Sequence, residues 1–450
     1  MNVLRRCNGS IISAKRVVSK DLFCLYTDCK STIFIILAFY IIVNSSKKTS
    51  QKRRITVAVS NDLLTDQRVL RSCDALYEAG FAISLVGRTW PDSRKLQKPY
   101  KSSKMQLLFK RTALFYAEFN ARLFLKLLFS QADAFYANDT DTLLAVALAA
   151  RLRRKPFVFD AHELFPDVPE LIGKPFVQKV WRWVERRFIP QASLCVTVNQ
   201  SLAEEYERRY GVGFIVVRNL SSHTSPRNST FKIQFCDQGE RKESSLAFPN
   251  RSRMTPPAAK FKIILYQGAV NKGRCVKELI DAMEFLPDCR LVVAGAGDLL
   301  VDMRHYAAAK PYSWRIDFVG RLLPDKLRSI TSKASLGFCV MRNMGLNYYF
   351  SLPNRIGDFA SAGIPVVASD FPEIKKVVGT YRIGALVSES TVESAEALAA
   401  VIEKTLNEWA SLSDVEKSAR FAAAREDLSW KNEQKKLIHC IDTIFVNNNS

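Results

Sequence analysis

The chain has 450 residues, 48% of them hydrophobic, with 18 glycines and 17 prolines. That is ordinary globular composition, long enough for two or three domains with sizeable cores, and it excludes a wholly disordered chain. Lys and Arg number 66 against 44 Asp and Glu, a formal net charge of +22, which favours an anionic partner (nucleotide, nucleic acid or acidic membrane surface) without choosing among them.

Ten cysteines are spread singly, mostly within apolar runs, and never form CxxC. They offer neither a disulfide framework nor zinc spacing, so they read as small hydrophobes in a reducing compartment.

Residues 1–53 do not read like the rest. Ile33–Val43 is an apolar run of 11 between Lys30 and the pair Lys47, Lys48. A spanning helix needs ~20 apolar residues. The run has the length of a signal-peptide core, yet no convincing small-residue cleavage site follows. A marginal anchor, a peripheral helix and a poorly ordered extension all stay open.

From Arg54 the rhythm becomes strand, helix, strand. Residues 55–60 read as a strand, 61–65 as a polar loop, and 66–79 as a helix with Val69, Leu70, Cys73, Leu76 and Tyr77 on one face, stopped by Gly80. Further strands are expected at 82–87, 134–137, 157–160, 195–198 and 214–217. Such alternation predicts a parallel sheet covered by helices, with ligands beyond the carboxyl ends of the strands. Asn61, Asp62, Asn138, Asp139 and His162 fall there.

Residues 95–129 are basic, then aromatic: Lys98, Lys101, Lys104, Lys110 and Arg111 precede Phe115, Tyr116, Phe119, Phe124 and Phe129. The stretch suits either an anionic membrane surface or a core helix with solvated lysines. Residues 221–260, rich in Ser, Pro, Arg and Asn, read as a linker. A second alternating run predicts strands at 262–267, 290–294, 316–319, 336–340 and 365–369, a helix over 403–409 and a charged segment over 414–436. Two α/β domains in tandem, 54–220 and 261–425, would face one another across a cleft.

The stretch 345–373 carries the chemistry. It reads as a loop to Pro353, a helix over 354–362 with Ile356, Phe359 and Ala360 on one face, a Gly363 stop and a buried strand. A loop feeding a helix start aims backbone N–H groups at an anion. Asp358, one turn in, suits two ribose hydroxyls. Phosphate at the tip and sugar on the acid describe a nucleotide site; an ordinary loop-helix-strand unit is the alternative.

Six stretches in order then resemble the family 4 retaining glycosyltransferases of the GT-B fold, especially the bacterial envelope-polysaccharide type. They are SNDLLTDQRVLRSCDALYEAGFAISLVGR (60–88), ANDTDTLLAVALAARL (137–152), FDAHELFPDVPEL (159–171), VTVNQSLAEEY (196–206), LYQGAVNKGR (265–274) and the 345–373 stretch. The resemblance spans about residues 54–440. It implies two Rossmann-like domains facing across a cleft and a final helix, about 430–445, crossing back to the N-terminal domain.

The same resemblance implies transfer of a sugar from a nucleotide-sugar to a glycan or lipid-linked acceptor hydroxyl, with retention and without a metal or other cofactor. His162, Lys272 and Arg274 would be catalytic. Gly268, Arg321, Ser351, Leu352, Asn354 and Asp358 would hold the donor, and Asn61, Asp62, Asp139 and Glu163 would lie on the acceptor side. Asp139-Thr140-Asp141 is read as a loop at the cleft mouth.

The family's first Glu, eight residues before Asp358, is Phe350 here, and its Gly-Arg is Gly268-Ala269. These departures bear on how the donor hexose is gripped and motivate an alternative, a sugar-nucleotide-binding regulator or scaffold with reduced turnover. The expected location is cytoplasmic, peripheral at the inner face of the membrane. A nucleic-acid partner is not expected, since no recognition motif accompanies the charge.

Overall fold

The computed structural model describes residues 52–63, 66–88, 96–109, 112–220 and 261–447. The N-terminal extension, the 221–260 linker, and Lys95, Lys110 and Arg111 lie outside the described residues.

Seven parallel strands form the first sheet: β1 (Arg54–Asp62), β2 (Ala82–Arg88), β3 (Lys101–Met105), β4 (Ala134–Asn138), β5 (Phe157–Ala161), β6 (Leu194–Thr197) and β7 (Ile215–Val216), in the order β3-β2-β1-β4-β5-β6-β7. Its helices are α1 (Gln67–Glu78), α2 (Thr112–Leu128), α3 (Thr140–Arg153), α4 (Pro175–Phe188) and α5 (Gln200–Tyr210). β4 and β5 are buried at every position, as strands covered on both faces must be.

The second sheet has six parallel strands: β8 (Lys262–Gln267), β9 (Cys289–Ala294), β10 (Ile316–Phe318), β11 (Leu336–Cys339), β12 (Val366–Ser369) and β13 (Gly384–Val387), ordered β10-β9-β8-β11-β12-β13. Its helices run α6 (Val276–Ala282), α7 (Leu300–Ala308), α8 (Pro324–Thr331), α9 (Leu346–Tyr349), α10 (Asn354–Ala362), α11 (Pro372–Tyr381), α12 (Glu389–Glu393), α13 (Ala395–Ser411), α14 (Asp414–Asp427) and α15 (Trp430–Asn447).

The predicted alternation holds, with three differences. Edge strand β3 has the sequence KSSKM and is buried only at Met105, so no apolar alternation marks it. β13 is short and only half-buried. The 403–409 helix is the second half of the longer α13, whose start is capped by Ser394 accepting from the Ala397 N–H.

The final helix joins the first domain's core. Trp430, Leu437, Ile441, Ile444 and Phe445 of α15 pack in one cluster with Val69, Cys73 and Leu76 of α1 and Ile83 of β2. Arg218 fastens its start, donating to Asp427 at 2.7 Å and to the fully buried Glu433 at 2.9 Å.

Within residues 95–129 the core-helix reading holds for the inward face. Phe115, Phe119, Leu123 and Leu127 of α2 are buried, whereas Leu108, Leu114, Leu125 and Phe129 are exposed. The described cysteines, Cys73, Cys195, Cys275, Cys289, Cys339 and Cys440, are all free and buried. They serve as small hydrophobes, as expected.

Candidate active site

The carboxyl ends of β5, β6 and β8 and the start of α10 border a cleft of about 480 Å³. Its lining includes His162, Glu163, Gly268, Arg274, Ser351, Leu352, Asn354 and Asp358. Eight of the residues singled out in the sequence therefore meet at one place.

Gly268 has φ 131°, and a Cβ there would stand 3.3 Å from Nη1 of Arg355. Glycine is required at such a backbone, and its bareness lets the chain run close past the guanidinium. The helix α10 starts at Asn354 after Pro353 without any side-chain cap, and Gly363 ends it in the left-handed region. The Ile356 N–H is taken by the Pro353 carbonyl at 3.0 Å, so the backbone donors of this start that suit an anion are those of Asn354 and Arg355.

Asp358 is fixed by Gln267, which donates from Nε2 to Oδ2 at 2.9 Å. Thr331 sets that amide's orientation by donating to Gln267 Oε1 at 2.8 Å. From the first domain, Arg71 of α1 donates to Asn219, which lines the cleft, and its charge reaches Asp358. Burial and the neighbouring Arg68 pull the Arg71 pKa down to about 10.

Two cations line the cleft without an acid of their own among the described residues. Arg355 is buried, donates to the Gln267 carbonyl at 3.1 Å and to Cys339 Sγ, and leaves Nη2 without a partner. Arg274 lies 4.5 Å over the Tyr348 ring, with Nε buried and unpaired. A buried guanidinium without a counter-charge is costly unless a ligand supplies one.

Across the cleft, Glu163 Oε2 accepts from Asn347 Nδ2 at 3.2 Å, and Asn347 Oδ1 accepts from the Leu164 N–H at 3.0 Å. Asn199 answers from the other direction, donating to the Phe350 carbonyl at 2.8 Å. Burial, then the charge of Asp139, pushes the Glu163 carboxyl up to about 7. Phe350 itself turns from the cleft and packs against the first domain's core.

His162 stands between two carboxylates. Asp139 Oδ2 is 3.0 Å from Nδ1, and Asp160 Oδ2 is 3.6 Å from Nε2. Asp160 is held in turn by buried Arg68 at 2.6 Å and Tyr136 at 2.8 Å. Burial opposes charge on the imidazole, but Asp139 and Asp160 outweigh it and hold its pKa well above the ordinary value. Asp139 has φ 58° and ψ 167°, a conformation costing an ordinary residue about 1–3 kcal/mol.

Four expected site residues lie elsewhere. Lys272 is exposed and outside the cleft lining. The tight turn Asn271–Arg274, closed by the Arg274 N–H on the Asn271 carbonyl at 3.2 Å, brings Arg274 inward instead. Arg321 is exposed outside the lining, in the segment after β10. Asn61 is exposed and outside the lining, because β1 continues to Asp62, whose backbone pairs with Arg88; the Asp62 side chain lies outside the described residues. Asp139 sits behind His162 and does not line the cleft. The 139–141 triplet is the start of α3 rather than a loop, with Asp141 buried and bonded by Ser60.

Arg355, Gln267 and Asn347 were missed. Arg355 had a signal: it stands beside Ile356 and four residues before Phe359 on the apolar face of α10, where an unpaired charge is unusual.

The description Glycosyltransferase Family 4 matches residues 66–219, and Glycosyl transferases group 1 matches residues 249–423. Together they cover well over half of the chain, one per domain. The chain belongs to these glycosyltransferases. Among solved structures, this glycosyltransferase is similar in fold to sucrose-phosphate synthase from Thermosynechococcus elongatus, with a TM-score of 0.65 and 17% identity over 88% of this chain and 100% of that one. It is similar to Anabaena HepE in complex with UDP-glucose, with a TM-score of 0.61 and 14% identity over 87% and 99% of the two chains. A glycosyltransferase from Rickettsia africae gives 0.61 and 12% over 88% and 99%. No curated protein sequence matches the chain. The GT-B architecture, two Rossmann-like domains facing one cleft, is thereby established.

Proposed function

We propose that this glycosyltransferase binds a nucleotide-sugar by its diphosphate between Arg274 and Arg355 and passes the hexose, with retention, to a glycan or lipid-linked acceptor hydroxyl. The carrying observation is that pair of guanidiniums, which line the cleft, each with one buried nitrogen unpaired and with no carboxylate partner among the described residues. Negative charge builds on the departing diphosphate, and cations already in place stabilise it without reorganising. The uncapped start of α10 adds backbone donors, and Asp358, held by Gln267, accepts from the ribose hydroxyls. With these cations present the chemistry needs no divalent ion.

No side chain is assigned as nucleophile. The leaving phosphate takes the acceptor's proton on the face it departs from, and Arg274 and Arg355 hold it there. Because Phe350 replaces the family's first Glu, the donor hydroxyls fall to Glu163 and Asn347, which reach the cleft from opposite domains.

The acceptor reading draws on the surface of the first domain. Exposed Leu114, Leu125 and Phe129 stand beside Arg122 and Lys126 on and after α2, which suits the anionic inner face of a cytoplasmic membrane carrying a lipid-linked acceptor. Among the described residues no helix is long and apolar enough to cross a membrane, so the contact proposed is peripheral.

The test is a panel of nucleotide-sugars assayed for donor hydrolysis and transfer, beginning with the UDP-hexoses that suit the HepE complex. Turnover with one donor supports the transferase. Nucleotide binding with complete inertness towards every donor favours the regulator instead, for which Phe350 and Ala269 are the motive.

A further inference from the structure

Asp139 was expected at the acceptor side, yet it lies behind His162. Its backbone is in a region normally reserved for glycine, and a residue held there signals a surrounding structure that over-determines it. Asp139 N–H donates to the Asp160 carbonyl at 2.9 Å, and Asp139 O accepts from Thr142. Those bonds pin the peptide units on both sides, so the side chain is aimed by backbone constraint. Its Oδ1 accepts from the His162 N–H at 2.8 Å, while Oδ2 meets ring Nδ1 at 3.0 Å.

We propose that Asp139 is a positioning residue, whose one carboxylate grips both the backbone and the ring of His162 and so fixes the imidazole in the cleft wall with Nε2 as its remaining donor. Nε2 is buried and has no hydrogen-bond partner, since 3.6 Å to Asp160 is too long for one. The groups around the ring are Asp139 and Asp141 of α3, Asp160 of β5 with Arg68 of α1 and Tyr136 of β4 upon it, and Glu163; Arg274 lies across the cleft. With carboxylates towards both nitrogens, the His162 ring is held as a cation beside the ligand and does not act as a base. The proposal rests on the transferase reading only for the identity of that ligand.

The full chain has four histidines, His162, His223, His305 and His439, few enough to follow by NMR with 13C-labelled histidine. In the native protein the His162 ring is expected to titrate well above a free imidazole, because Asp139 and Asp160 favour its charged form over the opposing effect of burial. In Asp139→Asn its midpoint is expected to fall by at least about one pH unit, with affinity for UDP unchanged within about twofold because Arg274, Arg355 and Asp358 are intact. Once a donor is known, kcat should fall about tenfold or more with KM for the donor changing little, and a new limb should appear in the pH profile at the lowered midpoint. Asp139→Gly relieves the backbone, so it should melt above Asp139→Ala and show the same ring shift.

A His162 midpoint shared by native protein, Asp139→Asn and Asp139→Gly would overturn the clamp. So would a tenfold loss of UDP affinity in Asp139→Asn with an unmoved ring. Inertness towards every donor sinks the transferase reading but leaves the ring titration standing as the judge of the clamp.

Discussion

Gln267 Nε2 lies 2.9 Å from Asp358 Oδ2, and this bond ties the end of β8 to the first turns of α10. It holds the carboxylate beside the same strand end whose carbonyl receives Arg355. Asp358 and Arg355, the proposed ribose acceptor and phosphate donor, are therefore both set by one residue of the sheet.

Asp358→Ala removes the acceptor and is expected to weaken UDP and uridine alike, by about 1–3 kcal/mol. Isothermal titration calorimetry of both ligands reads this directly. Unchanged uridine affinity would move the ribose elsewhere.

Arg355→Ala should separate the two ligands. Loss of a charged donor costs UDP about 1.5–3 kcal/mol and leaves uridine nearly untouched. Arg355→Lys should recover only part, because an ammonium cannot reproduce the fork that spans the Gln267 carbonyl and Cys339 Sγ. Equal losses for UDP and uridine would show that the guanidinium supports the fold and not the phosphate.

Stability should fall with pH through Asp141. Burial, then the nearby Asp139, pushes its carboxyl up to about 8, against about 3.9 in an unfolded chain. The folded state then holds a proton that the unfolded state has released. That contribution is full below about pH 4 and lost as pH rises towards 8, by at most about 1.4 kcal/mol per unit. Asp141→Asn cannot ionise, so its urea-melt stability should decline less than the native protein's between pH 6 and pH 8. Parallel declines would exclude the carboxyl as the source.

Arg218→Ala should release the final helix. It removes the guanidinium from Asp427 and from Glu433, and Glu433 is fully buried. An uncompensated buried charge costs about 3–5 kcal/mol, softened here by Lys436 at 3.1 Å. Chemical denaturation gives the loss, and hydrogen exchange in α15 shows where it falls. A global loss without early exchange in α15 would place the damage elsewhere.

Vesicle flotation tests the surface of the first domain. The chain should float with anionic vesicles at low salt and less so with neutral ones, and Leu125→Glu combined with Phe129→Glu should reduce it several-fold. Retention of full binding by that double variant would reject the α2 surface as the contact.

The period of apolar residues marked α1 and α10 almost to their ends, because both bury one stripe and are stopped by glycine. The same reasoning passed over β3, whose KSSKM carries no apolar alternation at the sheet edge. In the site, Asp358 and Arg274 were legible because they follow a strand or a helix start, where α/β sheets put ligands. Lys272 was read as equal to Arg274, though in the tight turn that holds both only Arg274 reaches the cleft.

The sequence by itself determined two parallel-sheet domains and the helix over 354–362 with its Gly363 stop, since both follow from short-range period and turn chemistry. Only the tertiary structure decided which charges matter. Whether a guanidinium has a carboxylate, as Arg68 has Asp160 and Arg355 has none among the described residues, depends on residues far apart along the chain, and local pattern carries no record of such a pairing.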